Sequence, residues 1–276
     1  MKKVLTIAGS DCSGGAGIQA DLKTMTAHKV YGMSVISMIT AQNTTGIQDV
    51  FDLPQNLIIS QIDSCFQDIF PDAVKTGALF NTNIIQIVKE KLLFYNAKNI
   101  VIDPVMKCTA KEGITECLLQ TDAIHTMIDL FSVADIITPN IPEAEVLCSI
   151  IEGKDIDKCK IDNEEKIQQV CKILSQFVKN KCVLIKGGHF NSCNDCLYLD
   201  DKFYWFEGKK INTKNTHGTG CSLSAAIASN LALGFNMIES VKMAKNYVYN
   251  AILNNPQLGK GFGPINHCWN LKKINN

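Results

Sequence analysis

Nowhere in the 276-residue chain do apolar residues run for the roughly 20 positions that a membrane-spanning helix needs. Net charge is lacking too: 27 basic and 27 acidic side chains cancel, so no strong overall field draws the chain to nucleic acid or anionic lipid. Small-molecule partners are favoured. In the opening stretch MKKVLTIAGSDCSGG, the apolar run Val4 to Ala8 is too short for a secretion signal and meets a glycine turn at once. A cytoplasmic location is therefore expected. No repeat, low-complexity tract or proline-rich linker divides the sequence, and a single domain spanning 1–276 follows.

Cysteine is plentiful by contrast, with 12 residues scattered from Cys12 to Cys268. In a long chain without a secretion signal these read as reduced, mostly buried thiols. The one close pair is Cys193-Asn194-Asp195-Cys196. A structural zinc site normally shows two such pairs, so metal is not expected there.

Short β-branched runs alternate with longer segments of helical period. Lys3 to Ala8, Ser34 to Thr40, Ala73 to Lys75, Asn99 to Asp103, Asp135 to Thr138 and Cys182 to Lys186 read as buried strands. Between them, Ile18 to His28, Pro54 to Asp68, Thr82 to Tyr95, Pro142 to Ile151 and Glu164 to Lys179 carry apolar residues at helical spacing. Cys196 to Leu199 and Phe203 to Phe206 suggest a hairpin turning at Asp200-Asp201, and helices over Cys221 to Leu233 and Met237 to Asn254 close the chain. This alternation predicts an α/β fold, with right-handed βαβ units around a mainly parallel sheet.

Ligands of such sheets sit beyond the carboxyl ends of the strands. After the first strand comes Gly9 to Gly17, glycine-rich but matching neither the dinucleotide nor the P-loop pattern. The loop Ala41 to Thr44 carries Gln42, whose amide can read a heteroaromatic ring through a paired donor and acceptor or bond its own backbone. Asp103 and the pair Asn140 and Glu143 follow two further strands, a donor set suited to hydrated Mg²⁺ and phosphates, although Glu143 could simply cap a helix. Lys186-Gly187-Gly188 adds a cation and bare backbone. Last comes Gly218-Thr219-Gly220-Cys221 at the start of a small-residue helix, where unpaired N–H groups can hold an anion. Phosphoryl transfer is the economical reading, because it needs positioning and charge neutralisation above all.

Taken together, LTIAGSDCSGGAGIQADLKT, AQNTTGIQ, DPVM, ITPNIPEAE, IKGGH and NTKNTHGTGCSLSAA resemble the hydroxymethylpyrimidine/phosphomethylpyrimidine kinases of thiamine biosynthesis, within the ribokinase-like superfamily. The resemblance runs from Lys3 to about Pro264. It implies a ribokinase-like α/β fold with helices on both faces of the sheet, ATP and Mg²⁺ as cofactors, and two successive phosphorylations of 4-amino-5-hydroxymethyl-2-methylpyrimidine. By motif, pyrimidine contacts fall on Gly9, Asp21, Gln42 and Val105. Nucleotide contacts fall on Asn140, Lys186 and Thr213, and metal contacts on Asp103 and Glu143. The catalytic turn is Gly218, Thr219, Gly220 and Cys221. Cys221 stands where ribokinase has its aspartate base, and a helix N-terminus is expected to lower its pKa.

One departure is visible. Relatives often carry Met after the KxG motif, whereas this chain has Ala78 after Lys75-Thr76-Gly77, leaving room for a bulkier ring. Pyridoxal or pyridoxine phosphorylation is thus the alternative activity, and a non-catalytic vitamin-precursor binder a further one. The polar stretch Lys107 to Gly113 suggests a lid, and a homodimer is compatible with the resemblance.

Overall fold

Alternate residues of each β-branched run point to opposite faces, and here both faces are covered by helices. The computed structural model describes residues 1–106, 119, 121–187 and 193–271. The strands are β1 (Lys3–Asp11), β2 (Tyr31–Asn43), β3 (Gly46–Asp52), β4 (Ala73–Thr76), β5 (Ile100–Ile102), β6 (Ile136–Ile137), β7 (Val183–Ile185), β8 (Asp195–Leu199) and β9 (Lys202–Phe206). The helices are α1 (Gly17–Ala27), α2 (Gln55–Asp68), α3 (Thr82–Phe94), α4 (Ile124–Leu130), α5 (Ile141–Glu152), α6 (Glu164–Ser175), α7 (Thr219–Leu233) and α8 (Met237–Leu253).

Among the described residues these strands form one sheet in the order β3-β2-β1-β4-β5-β6-β7-β8-β9. From β2 to β7 neighbours pair in parallel; β3, β8 and β9 pair antiparallel at the edges. Leu5 and Ile7 of β1 join one core with Ile62 of α2, Ile85 of α3 and Leu147 of α5. Val4 joins the other, with Met25 of α1, Ala226 of α7 and Val241 of α8. This is the mainly parallel, helix-flanked α/β sheet that the alternation predicted.

Several boundaries differ from expectation. β1 does not stop at Ala8: it passes an irregularity between Ala8 and Ser10 and pairs as far as Asp11 with Thr40. Gly9 to Asp11 is therefore strand, where a loop was expected. β2 likewise continues through Gln42 to Asn43 and folds back on β3, a strand the polar sequence concealed. Helix α4 was not expected, and α6 ends at Ser175, short of Lys179. The β8–β9 hairpin forms as predicted. Its Asp200 and Asp201 have φ of 50° and 58°, the two positive values that a tight hairpin turn matching strand twist requires. The suggested lid, Lys107 to Gly113, and Gly188 lie outside the described residues.

β1 is bonded to β2 on one side and β4 on the other. The chain thus leaves β1 in one direction and later returns to build outward in the other. At such a reversal the flanking connections diverge and leave a crevice beyond the carboxyl ends of the strands.

Candidate functional site

A cavity of about 550 Å³ occupies that crevice. At one end Gly9, Met38, Gln42, Ala78 and Val105 line it. A Cβ on Gly9 would lie 2.8 Å from the Met38 Cε, so only glycine leaves the Met38 side chain in place. Gln42 is buried at 7% exposure because it faces inward from β2. Ala78 packs with Met38 and Ile47, backed by Phe80 and Val105; this apolar wall stands behind the space that Ala78 leaves.

The floor carries a buried ion pair. Lys75 of β4 and Asp21 of α1 are both 0% exposed, with Lys75 Nζ 2.7 Å from Asp21 Oδ2, which also accepts from Thr6 Oγ1 at 2.6 Å. Burial works against the ammonium, but the negative charge of Asp21, with Cys221 and Asp103 nearby, holds Lys75 above the usual lysine range. Asp21 itself does not line the cavity, whereas Lys75 does. Asp21, the expected pyrimidine contact, is fully buried and hydrogen-bonded to Lys75, which borders the cavity.

Helix α7 enters the cavity from above. Its N-cap, Gly218, has φ of +79° and no side-chain cap, and a Cβ there would overlap the Gly15 carbonyl oxygen. Glycine is required both by the left-handed backbone and by the close approach. The Thr219 N–H turns back to Thr216 O at 3.3 Å and Ser222 N–H finds Gly218 O at 2.9 Å. Among the described residues this leaves the N–H groups of Gly220 and Cys221 unpaired and ready for an anion. Gly220 faces the opposite wall: a Cβ on it would lie 3.3 Å from Lys186 Nζ and 3.7 Å from Asp103 Oδ2.

Cys221 behaves differently from expectation. Its side chain borders the cavity, yet burial pushes its thiol up to about 11, with Lys75 opposing and the carboxylates of Asp21 and Asp103 adding to the rise. Desolvation, with the two nearby carboxylates, outweighs Lys75 and the Gly17 N–H that favour the thiolate. A standing thiolate, expected from the motif alone, is not favoured.

On the wall formed by β5, β6 and β7, Asp103 Oδ1 accepts from Lys186 Nζ at 2.7 Å and from Thr138 Oγ1 at 3.2 Å. Asn140 and Glu143 form a reciprocal cap at the start of α5: Glu143 N–H donates to Asn140 Oδ1 at 2.9 Å and Asn140 N–H donates to Glu143 Oε2 at 2.8 Å. Glu143 therefore caps the helix and also borders the cavity. Burial raises its pKa to about 7, with the Asp103 carboxylate adding to the rise and Lys186 opposing it.

Beyond the turn the cavity continues to Thr213, Leu223, Val248 and Ile252, a slot with apolar walls. Lys245 pairs with Asp195 at 2.8 Å there, and Asp195 also accepts the Gly187 N–H at 2.9 Å. The apolar members were not anticipated, since on α7 and α8 they follow ordinary core spacing. Asp11 was also missed. Its carboxylate organises the loop after β1 and meets His217, 206 residues away, at 3.0 Å. Burial opposes its charge, but hydrogen bonds from His217, Ser13 and Gln42 hold it well below the usual carboxylate range. The chain has no arginine, so anions in the cavity meet lysine and backbone N–H groups.

A switch-point crevice lined by Gln42 and Lys186, by a helix turn with unpaired N–H groups and by apolar residues of α7 and α8 is the site of a ribokinase-like small-molecule kinase. The chain matches the family described as phosphomethylpyrimidine kinase over residues 11–266, and it belongs to that family. It is 39% identical over 275 residues to the hydroxymethylpyrimidine/phosphomethylpyrimidine kinase of Staphylococcus aureus strain MSSA476, covering 99% of this chain and 95% of that one. The phosphomethylpyrimidine kinase of Clostridium difficile 630 superposes with a TM-score of 0.75 at 42% identity, over 90% of this chain and 100% of that one. A pyridoxal kinase from Staphylococcus aureus, solved with AMP-PCP and pyridoxal, superposes at 0.85 with 33% identity, over 97% of this chain and 93% of that one.

Two predictions follow from the floor of the cavity. Lys75→Met strands a buried Asp21 charge and is expected to lower stability by about 3–5 kcal/mol in urea denaturation, with most of that recovered in the Asp21→Asn/Lys75→Met double variant. A single variant as stable as the parent contradicts the pairing. Site-resolved alkylation, followed by mass spectrometry across pH, is expected to modify Cys221 with a midpoint well above the roughly 8.5 of a free thiol. A midpoint at or below that value would restore the thiolate.

Proposed function

We propose that this chain transfers phosphoryl groups from ATP first to the alcohol of 4-amino-5-hydroxymethyl-2-methylpyrimidine and then to the resulting monophosphate. The observation that carries this reading is one cavity with two differently built ends meeting at the unpaired N–H groups of Gly220 and Cys221. The Gln42 end takes the ring, whose amine and ring nitrogen match an amide. The slot of Leu223, Val248 and Ile252, with Thr213 at its edge, takes the nucleotide base.

The transferred phosphoryl group lies at the turn, where Gly220, Cys221 and Lys186 offset the charge that spreads over its oxygens. Asp103 and Glu143 fit a magnesium site: both are buried carboxylates bordering the cavity, and Glu143, raised by burial with Asp103 adding to the rise, is a carboxylate whose charge a divalent cation would offset. When bound, Mg²⁺ supplies charge neutralisation on the phosphates. A thiol that stands protonated is a poor base, so Cys221 contributes its N–H and its small size. The acceptor needs little activation when the transition state is loose.

Pyridoxal is the second reading, favoured by the small Ala78 in the wall and by the pyridoxal kinase of similar fold. The experiment supplies Mg-ATP with the pyrimidine alcohol, its monophosphate or pyridoxal, and identifies products by mass spectrometry. The expected result is monophosphate and then diphosphate from the pyrimidine, at a higher kcat/KM than for pyridoxal. Active protein that makes no diphosphate contradicts the two-step reading; higher kcat/KM on pyridoxal favours the second one; ligand binding without turnover makes the chain a binder.

A further inference from the structure

We infer that the hydrogen bond between Asp11 and His217 is the joint that sets the phosphoryl turn against the acceptor end of the cavity, making both side chains positioning residues for the two transfers. The inference rests on the function proposed above and concerns how its two halves are kept in register.

Asp11, at the last position of β1, is 2% exposed and His217 is 5% exposed. One carboxylate oxygen accepts from the Ser13 N–H at 2.8 Å and the Ser13 hydroxyl at 2.7 Å. The other accepts from the Gly15 N–H at 3.1 Å, the Ala16 N–H at 2.8 Å and His217 Nε2 at 3.0 Å. Such a carboxylate is used up locally, so it is not a free acid or base. A hydrogen bond to an ionised oxygen is stronger than a neutral one and more tightly defined in direction. Its five protein donors fix the loop that leads into α1 and, through His217, the residue directly before Gly218.

The acceptor side is tied to the same group. Cys12, next to Asp11, bonds through its Sγ both the Gln42 carbonyl at 3.1 Å and the Gln42 N–H at 3.3 Å. From the other direction, the His217 N–H donates to Gly263 O at 3.1 Å, which anchors its backbone away from β1. The imidazole is thus the link from that anchored backbone to the acceptor loop. Gly218, next in sequence, packs so tightly on Gly15 that a Cβ would overlap its carbonyl. Close contact limits approach, and the hydrogen bond prevents separation.

Removing the link lets the turn drift relative to the acceptor while Gln42, Lys186 and the turn's own N–H groups stay in the chain. Misplacement on the order of 1 Å can cost about 10²-fold in rate. The test compares His217→Phe, which keeps ring shape and loses the donor, with His217→Gln, which can present an N–H at a similar reach. Expected for His217→Phe is a kcat lower by about 10²-fold on both acceptors, with little change in the KM for ATP or acceptor. His217→Gln should recover most of the loss. Should His217→Phe not fold, His217→Asn, polar but too short to reach Asp11, replaces it in the same comparison with His217→Gln.

A donor-less variant with the parent kcat, or a His217→Gln variant no better than it, overturns the inference while the parent enzyme still phosphorylates both acceptors. A parent protein that phosphorylates neither acceptor overturns the functional reading and this inference with it.

Discussion

Everything at the site depends on the position of β1 between β2 and β4. Right-handed crossovers in a parallel sheet place α1 on one face and α2 on the other when the order of strands reverses. Helices that depart in opposite directions cannot cover the carboxyl ends between them, and an open crevice results. β1 then runs on to Asp11 while β4 stops at Thr76, so the taller strand walls the crevice. The charged and amide groups of the cavity are hung on this frame: Gln42 on β2, Lys75 on β4, and Asp103 and Lys186 just beyond β5 and β7.

The electrostatic pattern follows from placing charge in a dry crevice. Buried ions are costly unless paired, and Lys75 with Asp21 and Lys186 with Asp103 obey that rule. Glu143 is the member left over: among the described residues it has N–H donors but no ion pair of its own, and burial raises it to about 7. Cys221 rises for a related reason, because Asp21 and Asp103 add to the effect of burial. The unpaired N–H groups of the α7 turn are the complementary excess of positive potential. Negative and positive excess face each other across the space where phosphates and a cation would lie.

Much of this was legible in the sequence because it is local. Alternating β-branched runs and helical periodicity reported the core strands and flanking helices, and the string Gly218 to Cys221 announced its own bare backbone. What escaped depended on distance or burial. Asp11 meets His217 across 206 residues, and no local pattern joins them. Asp21 sits one turn into a helix whose N-terminus faces the cavity, and its pairing with Lys75, 54 residues away, has no local signal either. β3 escaped because its residues Gln48, Asp49, Phe51 and Asp52 are exposed; one face of it packs on little, and the alternation that marks a half-buried strand is faint. For Cys221 the expected lowering of its pKa was read from the helix N-terminus, whereas the burial and the nearby carboxylates that raise it have no local signal in the sequence.

The central claim is spatial: donor and acceptor occupy opposite ends of one cavity and meet at the Gly220 and Cys221 N–H groups. A crystal structure of the protein with AMP-PCP, Mg²⁺ and the pyrimidine alcohol tests it directly. The account predicts the adenine between Leu223, Val248 and Ile252, the terminal phosphonate on the α7 turn, and the pyrimidine against Gln42 with its hydroxyl directed at that phosphonate. A nucleotide bound elsewhere, or a pyrimidine whose hydroxyl points away from the turn, would contradict it.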